Sequence, residues 1–167
     1  YGLIQVVGVY NVNIWNGNIW KYEPNTIERN WYEDTSVASH YSNVLTSSEH
    51  TWRDIAMSSN GSVQTAVEHN GNIWTSTDYG STWTPFEYLV SQYDGMSVAM
   101  SDDGSKQTAV AFNGYIEVTL DYGNNWFHKE SVKNWASVAM SGDGNNQTAL
   151  VAGGNIWTSS DYGSTWT

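Results

Sequence analysis

Small apolar and polar residues alternate with a period of two along most of this chain, and helical spacing is absent throughout. The alternation is clearest after Trp52. Ala56, Ala66, Ala99, Ala109, Ala139 and Ala149 return in successive segments, with Val98, Met100, Val110, Val138, Met140 and Val151 set between them. In a strand a period of two sends neighbouring side chains to opposite faces. Both faces here carry apolar groups, and the small ones allow close approach, so each sheet is expected to be sandwiched between two others.

Turn signals divide the alternation into strands. Asn60-Gly61, Asp103-Gly104 and Asp143-Gly144 follow the first strand of each unit, and both residues of such pairs tolerate left-handed backbone angles. Second strands are predicted over 64–68, 107–112 and 147–152. A second turn follows at Asn70-Gly71, Asn113-Gly114 and Gly153-Gly154, then third strands over 72–76, 115–119 and 155–159. A last turn leads to a short fourth strand. Four antiparallel strands thus recur every ~40–45 residues, a spacing typical of radially repeated sheets.

That last turn is the most regular stretch of the chain. Ser76-Thr77-Asp78-Tyr79-Gly80-Ser81-Thr82-Trp83 returns as Thr119-Leu120-Asp121-Tyr122-Gly123-Asn124-Asn125-Trp126 and as Ser159-Ser160-Asp161-Tyr162-Gly163-Ser164-Thr165-Trp166. Asp78, Asp121 and Asp161 are placed to accept backbone N–H groups in an Asx-turn. Gly80, Gly123 and Gly163 can take positive φ without a Cβ penalty. Trp83, Trp126 and Trp166 can pack beneath the turn, with an N–H seeking an acceptor. The recurrence favours turn architecture over catalysis or metal binding for these aspartates.

The pattern Ser/Thr-x-Asp-x-Gly-x-Thr-Trp resembles the Asp-box, the hairpin motif of BNR/sialidase-like β-propellers. Two copies match fully; the third has Asn125 in place of threonine, which is expected to alter a side-chain contact. The resemblance implies an all-β fold, a β-propeller or propeller segment of about four four-stranded antiparallel blades. It implies no activity, because the family uses these turns as structure in enzymes and non-enzymes alike.

The chain reads as a single repeat domain over 1–167. Residues 1–51 form a degenerate blade and loop, and 52–92, 93–134 and 135–167 are clean repeats. Gln5 to Trp15 aligns without gaps on Gln64 to Trp74, and a second Asn-Gly-Asn-Ile-Trp follows at once over 16–20. The first and last residues look like cuts in a longer or processed polypeptide. In a closed ring the N-terminal strand would complete the last blade. In an open one, an exposed edge invites another chain, so other copies of the same protein are the expected partners.

Charge narrows the partner classes. Six Lys and Arg against seventeen Asp and Glu give a net charge of −11, which should repel nucleic acid. Neither a basic run for anionic lipid nor an apolar run of membrane-spanning length is present, so membrane insertion is not expected. Cysteine is absent, which removes disulfides and thiolate chemistry. Ten Trp and eleven Tyr exceed what a small core needs, and aromatic faces suit sugars or protein partners. Trp31, Tyr32, Tyr41, Tyr88 and Tyr93 lie off the repeat and are the candidate ligand contacts.

Catalytic sets are harder to assemble. Sialidases grip a carboxylate with three arginines, whereas this chain has only Arg29 and Arg53. An Asp-box glycoside hydrolase resembling the xyloglucanases needs two carboxylates. Glu33, Asp34, Glu68, Glu87, Asp94 and Glu117 lie off the repeat pattern, and Glu117 stands where the other blades have Trp74 and Trp157. Histidines 40, 50, 69 and 128 lack metal-ligand spacing and read as surface or turn residues. Asp102-Asp103-Gly104 and Asp143-Gly144-Asn145 read as hairpin tips rather than calcium loops. Asn60 and Asn146 begin sequons and are candidate glycosylation sites. No catalytic residue, metal site or cofactor is expected. The expected function is a non-enzymatic extracellular scaffold or binding module, self-assembling or adhesin-like. The alternatives are a carbohydrate-binding propeller and a fragment of an Asp-box glycoside hydrolase.

Overall fold

A computed structural model describes residues 4–6, 12–15, 18–22, 31–33, 50–86 and 94–167; the first four of these segments are described by their backbone strands alone. Among the described residues there are strands and turns but no helix. Fifteen strands among the described residues form four antiparallel sheets, each taken up in chain order. The first holds β1 (Ile4–Val6), β2 (Val12–Trp15), β3 (Asn18–Tyr22) and β4 (Trp31–Glu33). The second holds β5 (Trp52–Met57), β6 (Gln64–Glu68), β7 (Ile73–Ser76) and β8 (Thr84–Phe86). The third holds β9 (Asp94–Met100), β10 (Gln107–Phe112), β11 (Gly114–Thr119) and β12 (Phe127–Lys133). The fourth holds β13 (Trp135–Met140), β14 (Gln147–Val151) and β15 (Ile156–Ser159). Beside β15, Thr167 exchanges backbone bonds with Thr158 at 2.8 and 2.9 Å. β1 pairs with β2 in its own sheet.

The turns achieve their reversals differently from the expected pairs of left-handed residues. At the first turn only the glycines, Gly61, Gly104 and Gly144, have positive φ; at the second only Asn70, Asn113 and Gly153 do. The first turn is tied by a side chain instead. Oδ1 of Asn60, Asp103 or Asp143 accepts the hydroxyl of Ser58, Ser101 or Ser141 and the N–H two residues on, an Asx-turn.

Sheets stack with their first strands closest, β9 lying between β5 and β13. One face of each sheet buries Ala66 and Trp74, or Ala109, or Ala149; the other buries Val67 and Ile73, or Val110 and Ile116. Val67 and Ile73 of the second sheet meet Val98, Ala109, Ala111 and Trp126 of the third. Val110, Ile116 and Val118 of the third meet Trp135, Val138, Ala149 and Trp166 of the fourth. Each such aliphatic side chain, taken fully from water, contributes roughly 1.5–3 kcal/mol. The alanines are small because a neighbouring sheet occupies that space.

Three polar contacts recur between sheets. Thr65 Oγ1 donates to Gln107 Oε1 at 2.6 Å, and Thr108 Oγ1 donates to Gln147 Oε1 at 2.6 Å. Each glutamine in turn donates from Nε2 to its own turn carbonyl, Gly104 or Gly144, at 3.0 Å. On the first strands, Asp54 Oδ2 accepts the N–H of Val98 at 3.0 Å and the hydroxyl of Ser97 at 2.8 Å. Ser97 Oγ then faces the N–H of Val138 at 3.5 Å. At the first turns, Ser59 N–H donates to Asp102 O and Asp102 N–H to Gly142 O, at 2.8 and 2.7 Å. Gln64 Oε1 is buried with no partner among the described residues. Its sequence counterpart of Thr65 in the first sheet is Val6, which has no hydroxyl to give.

Candidate functional site

The repeated turns are closed by one set of bonds, used three times. Ser76, Thr119 or Ser159 donates its hydroxyl to Oδ1 of the aspartate two residues on, at 2.8, 2.7 and 2.8 Å. The same hydroxyl oxygen accepts the N–H of Gly80, Gly123 or Gly163, at 2.9, 3.2 and 3.0 Å. Asp78, Asp121 and Asp161 then accept the backbone N–H of residues 82, 125 and 165 at 2.8, 2.9 and 2.9 Å. Their second oxygen takes the side chain of that same residue at 2.7 Å each time. The amide of Asn125 therefore makes the contact that threonine makes elsewhere, and the expected alteration does not occur. Trp126 and Trp166 donate their indole N–H to Gly123 O and Gly163 O at 3.1 and 3.0 Å. All three tryptophan rings are buried.

Such bonding favours the charged carboxylates. Backbone and side-chain donation from Thr165, with the Ser159 hydroxyl, lowers Asp161 to about 2. For Asp78 and Asp121 slight burial acts upward, but the donors outweigh it and both lie below the ordinary value. Asp103, at a first turn, is lowered to about 2 by Ser101 and Ser105. Carboxylates so occupied are poor proton donors and have little capacity left for a ligand.

Three further acids lie between strands or sheets, Glu68 and Glu117 buried and Asp54 half-buried. Glu68 accepts Trp74 Nε1–H at 2.7 Å and Asn72 N–H at 3.1 Å and pairs with His50 Nδ1. Burial pushes it up, but these bonds more than offset that, so its pKa is lowered. Asp54 is raised by burial, against the bonds from Val98, Ser97 and Ile55. Glu117 is also raised by burial, which its pairing with His128 at 2.6 Å does not cancel. Its Oε2 has no partner among the described residues. Asp94 meets His69 Nδ1 at 2.5 Å. His50, His69 and His128 are thus each tied to a carboxylate rather than standing alone on turns. No group of three or more metal-ligating side chains occurs among the described residues.

Other residues singled out by sequence are distributed as follows. Trp31, Tyr32 and Glu33 lie on β4, where only the backbone is described. Tyr41, Tyr88, Tyr93, Asp34, Glu87, Arg29 and His40 lie outside the described residues. Asn60 and Asn146 are both exposed at first turns. Arg53 is exposed on β5.

The aromatics that the structure does expose lie on the repeat itself. Tyr79, Tyr122 and Tyr162 precede the turn glycines with φ of 62, 63 and 59°, and are 57, 46 and 41% exposed. A bulky side chain held left-handed is uncommon, and here it recurs at every copy of the turn. Tyr122 borders a cleft of about 190 Å³ between the second and third sheets, with Thr75, Thr77, Thr82, Thr84 and Phe86 also on its walls. The sequence puts a tyrosine in Asp-Tyr-Gly at all three repeats, but its exposure and left-handed backbone appear only in the built turn.

No protein-family model and no curated protein matches the chain. Solved β-propeller structures do match. YCF48 bound to D1 peptide aligns at a TM-score of 0.60 and 21% identity, over 71% of this chain and 40% of that one. YCF48 from Cyanidioschyzon merolae aligns at 0.59 and 20%, over 74% of this chain and 38% of that one. The GH74 xyloglucanase from Xanthomonas campestris aligns at 0.64 and 10%, over 95% of this chain and 28% of that one. The fold is that of a β-propeller segment. This chain spans two fifths or less of each of these neighbours.

Proposed function

We propose that this chain is a non-enzymatic, extracellular binding module or scaffold, built from blades of the Asp-box type. The observation that carries the reading is how the acids among the described residues are engaged. The turn carboxylates are spent on their own loops, and Asp54, Glu68 and Glu117 are committed between strands or sheets. A glycoside hydrolase needs one carboxylic acid and one carboxylate facing the scissile bond across open space. The cleft beside Tyr122 is walled by hydroxyls and aromatic rings, without a carboxylate among its lining residues. A structural neighbour, YCF48, is bound to a D1 peptide, so a partial likeness to a binding propeller also fits. The test is turnover. The purified chain should release no reducing sugar from xyloglucan or other β-glucans; steady release abolished by Glu117→Gln would overturn the reading.

A second reading, carbohydrate binding, is favoured by one specific observation: exposed tyrosines recur at equivalent turns, and Tyr122 stands beside threonine hydroxyls. Aromatic faces and hydroxyls together suit a sugar ring. A glycan array should then show binding that Tyr122→Ala removes, while the same variant keeps its melting temperature. Binding indifferent to Tyr122→Ala would reject this cleft. Glycosylation at Asn60 and Asn146 is tested by peptide mass mapping of the protein secreted from a eukaryotic host; both asparagines found bare would end that idea.

A further inference from the structure

Two tryptophans meet in nearly the same geometry twice in this chain. Trp52 and Trp74 of the second sheet have ring centroids 6.0 Å apart, with planes at 73°; Trp135 and Trp157 of the fourth are 5.9 Å apart at 77°. The positions correspond, since each pair joins the first residue of a first strand to the second residue of a third strand. Each pair also meets a basic side chain that stands two residues before its first tryptophan. His50 stacks on Trp52 at 5.0 Å and meets Trp74 edge-on at 5.4 Å. Lys133 Nζ lies over both rings of the other pair, 5.2 Å from the centroid of Trp135 and 4.3 Å from that of Trp157. The third sheet has Gly95 and Glu117 at the two tryptophan positions, so the fold itself does not demand an aromatic pair there.

The two slots are closed differently. In the second sheet Glu68, itself buried, bonds both the imidazole of His50 and Trp74 Nε1–H. The register counterpart of Glu68 in the fourth sheet is Val151, which offers Lys133 no counter-charge. Lys133 is tied instead from its own strand, by Ser131 Oγ and by Glu130 Oε2 at 3.5 Å. An ammonium brings three N–H donors to a slot whose two ring faces attract charge but accept no ordinary hydrogen bond. A quaternary ammonium has no N–H to leave unpaired, so the same ring faces suit it better. We propose that the slot between Trp135 and Trp157 binds a quaternary ammonium group, such as that of choline, and that Lys133 is its displaceable plug. The lysine side chain is 22% exposed and has a path to water. The slot lies toward the second turns, whereas the cleft beside Tyr122 lies at the Asp-Tyr-Gly turns. The proposal therefore goes beyond the binding-module reading and does not depend on it.

Nuclear magnetic resonance of the indole N–H groups tests this. Trp135 Nε1–H is buried without an acceptor among the described residues, so its resonance is a reporter inside the slot. Tetramethylammonium chloride and choline chloride are titrated separately into the whole chain, with sodium chloride at matched ionic strength as the control. The Trp135 and Trp157 resonances should shift with both ammonium salts and stay in place with sodium. Lys133→Ala removes the competing plug and should tighten binding roughly tenfold, because the open slot is no longer a minor state. Trp157→Leu, made in the Lys133→Ala background, should abolish binding. Should the double variant lose its fold, Lys133→Ala decides alone. Resonances that move equally with sodium chloride overturn the proposal, as does Lys133→Ala binding no more tightly than wild type. Undiminished binding in a folded Trp157→Leu variant overturns it as well. Any of these results leaves the test by sugar release untouched.

Discussion

At the scale of single residues, the recurring aspartates are best understood as loop-closing acceptors. Asp121 takes the Thr119 hydroxyl, the Asn125 N–H and the Asn125 side chain. Asp121→Ala leaves those donors to water and should cost about 1–3 kcal/mol, read by chemical denaturation. Asn125→Thr restores the residue used at the other turns and should change stability by less than ~0.5 kcal/mol. The acids also set opposite pH dependences. Asp103 and Asp161 fall from about 3.9 in the unfolded chain to about 2 in the folded one. Their contribution is therefore complete above the unfolded value and is lost as pH drops toward 2. Glu117 is raised, so the folded state holds its proton longer than the unfolded state does. Its contribution is favourable in acid and declines as pH rises past the unfolded value. Glu117→Gln should consequently stabilise the protein by about 1–3 kcal/mol at neutral pH, with the gain vanishing in acid, by melts across pH. A variant less stable than wild type at neutral pH would show that the His128 pair outweighs burial.

At the scale of elements, the sheets are held by a relay as well as by apolar burial. Gln107 is fully buried and joins Thr65 of the preceding sheet to the carbonyl of Gly104. Gln107→Ala orphans both, and a loss of about 2–4 kcal/mol is expected in denaturant titration. Gly123 sits at a close approach between sheets: its φ is +84° and an added Cβ would lie 2.6 Å from Thr75 Oγ1 of the neighbouring sheet. Gly123→Ala should therefore destabilise through strain and overlap together, by about 1–3 kcal/mol in the same titration. Much of the element layout was legible in sequence. The period of two, the small residues on both faces and the turn pairs located strands close to the observed β6, β7, β10, β11, β14 and β15. Two features were not legible. The fourth strand of the third sheet, expected to be short, runs over seven residues. The Thr-to-Gln bond between sheets was also missed, although Gln-Thr opens each second strand. A side-chain contact forty residues apart leaves no local signature.

At the scale of the whole molecule, the fold follows from units that cannot bury their own faces. Each sheet is two-sided, and the third is covered on both sides by the second and fourth. Likeness to YCF48 and GH74 propellers, at 10–21% identity, confirms the architecture and leaves chemistry to the residues. The sequence identified Asp78, Asp121 and Asp161 as structural because the same letters recurred. It could not identify the exposed tyrosines as ligand candidates, since their left-handed backbone and exposure appear only once the turn is built. That Glu117 stands at a tryptophan position was legible; that the position is buried was not, since burial at one register depends on the neighbouring sheet.

The central claim is that the repeated carboxylates hold their own turns and serve no ligand. Carboxyl-carbon nuclear magnetic resonance through an acid titration measures this directly. Asp161 should titrate near 2, with Asp78 and Asp121 also below the ordinary aspartate value, and none should shift when oligosaccharide is added. Ordinary titration near 3.9, or a shift on adding sugar, would contradict the account.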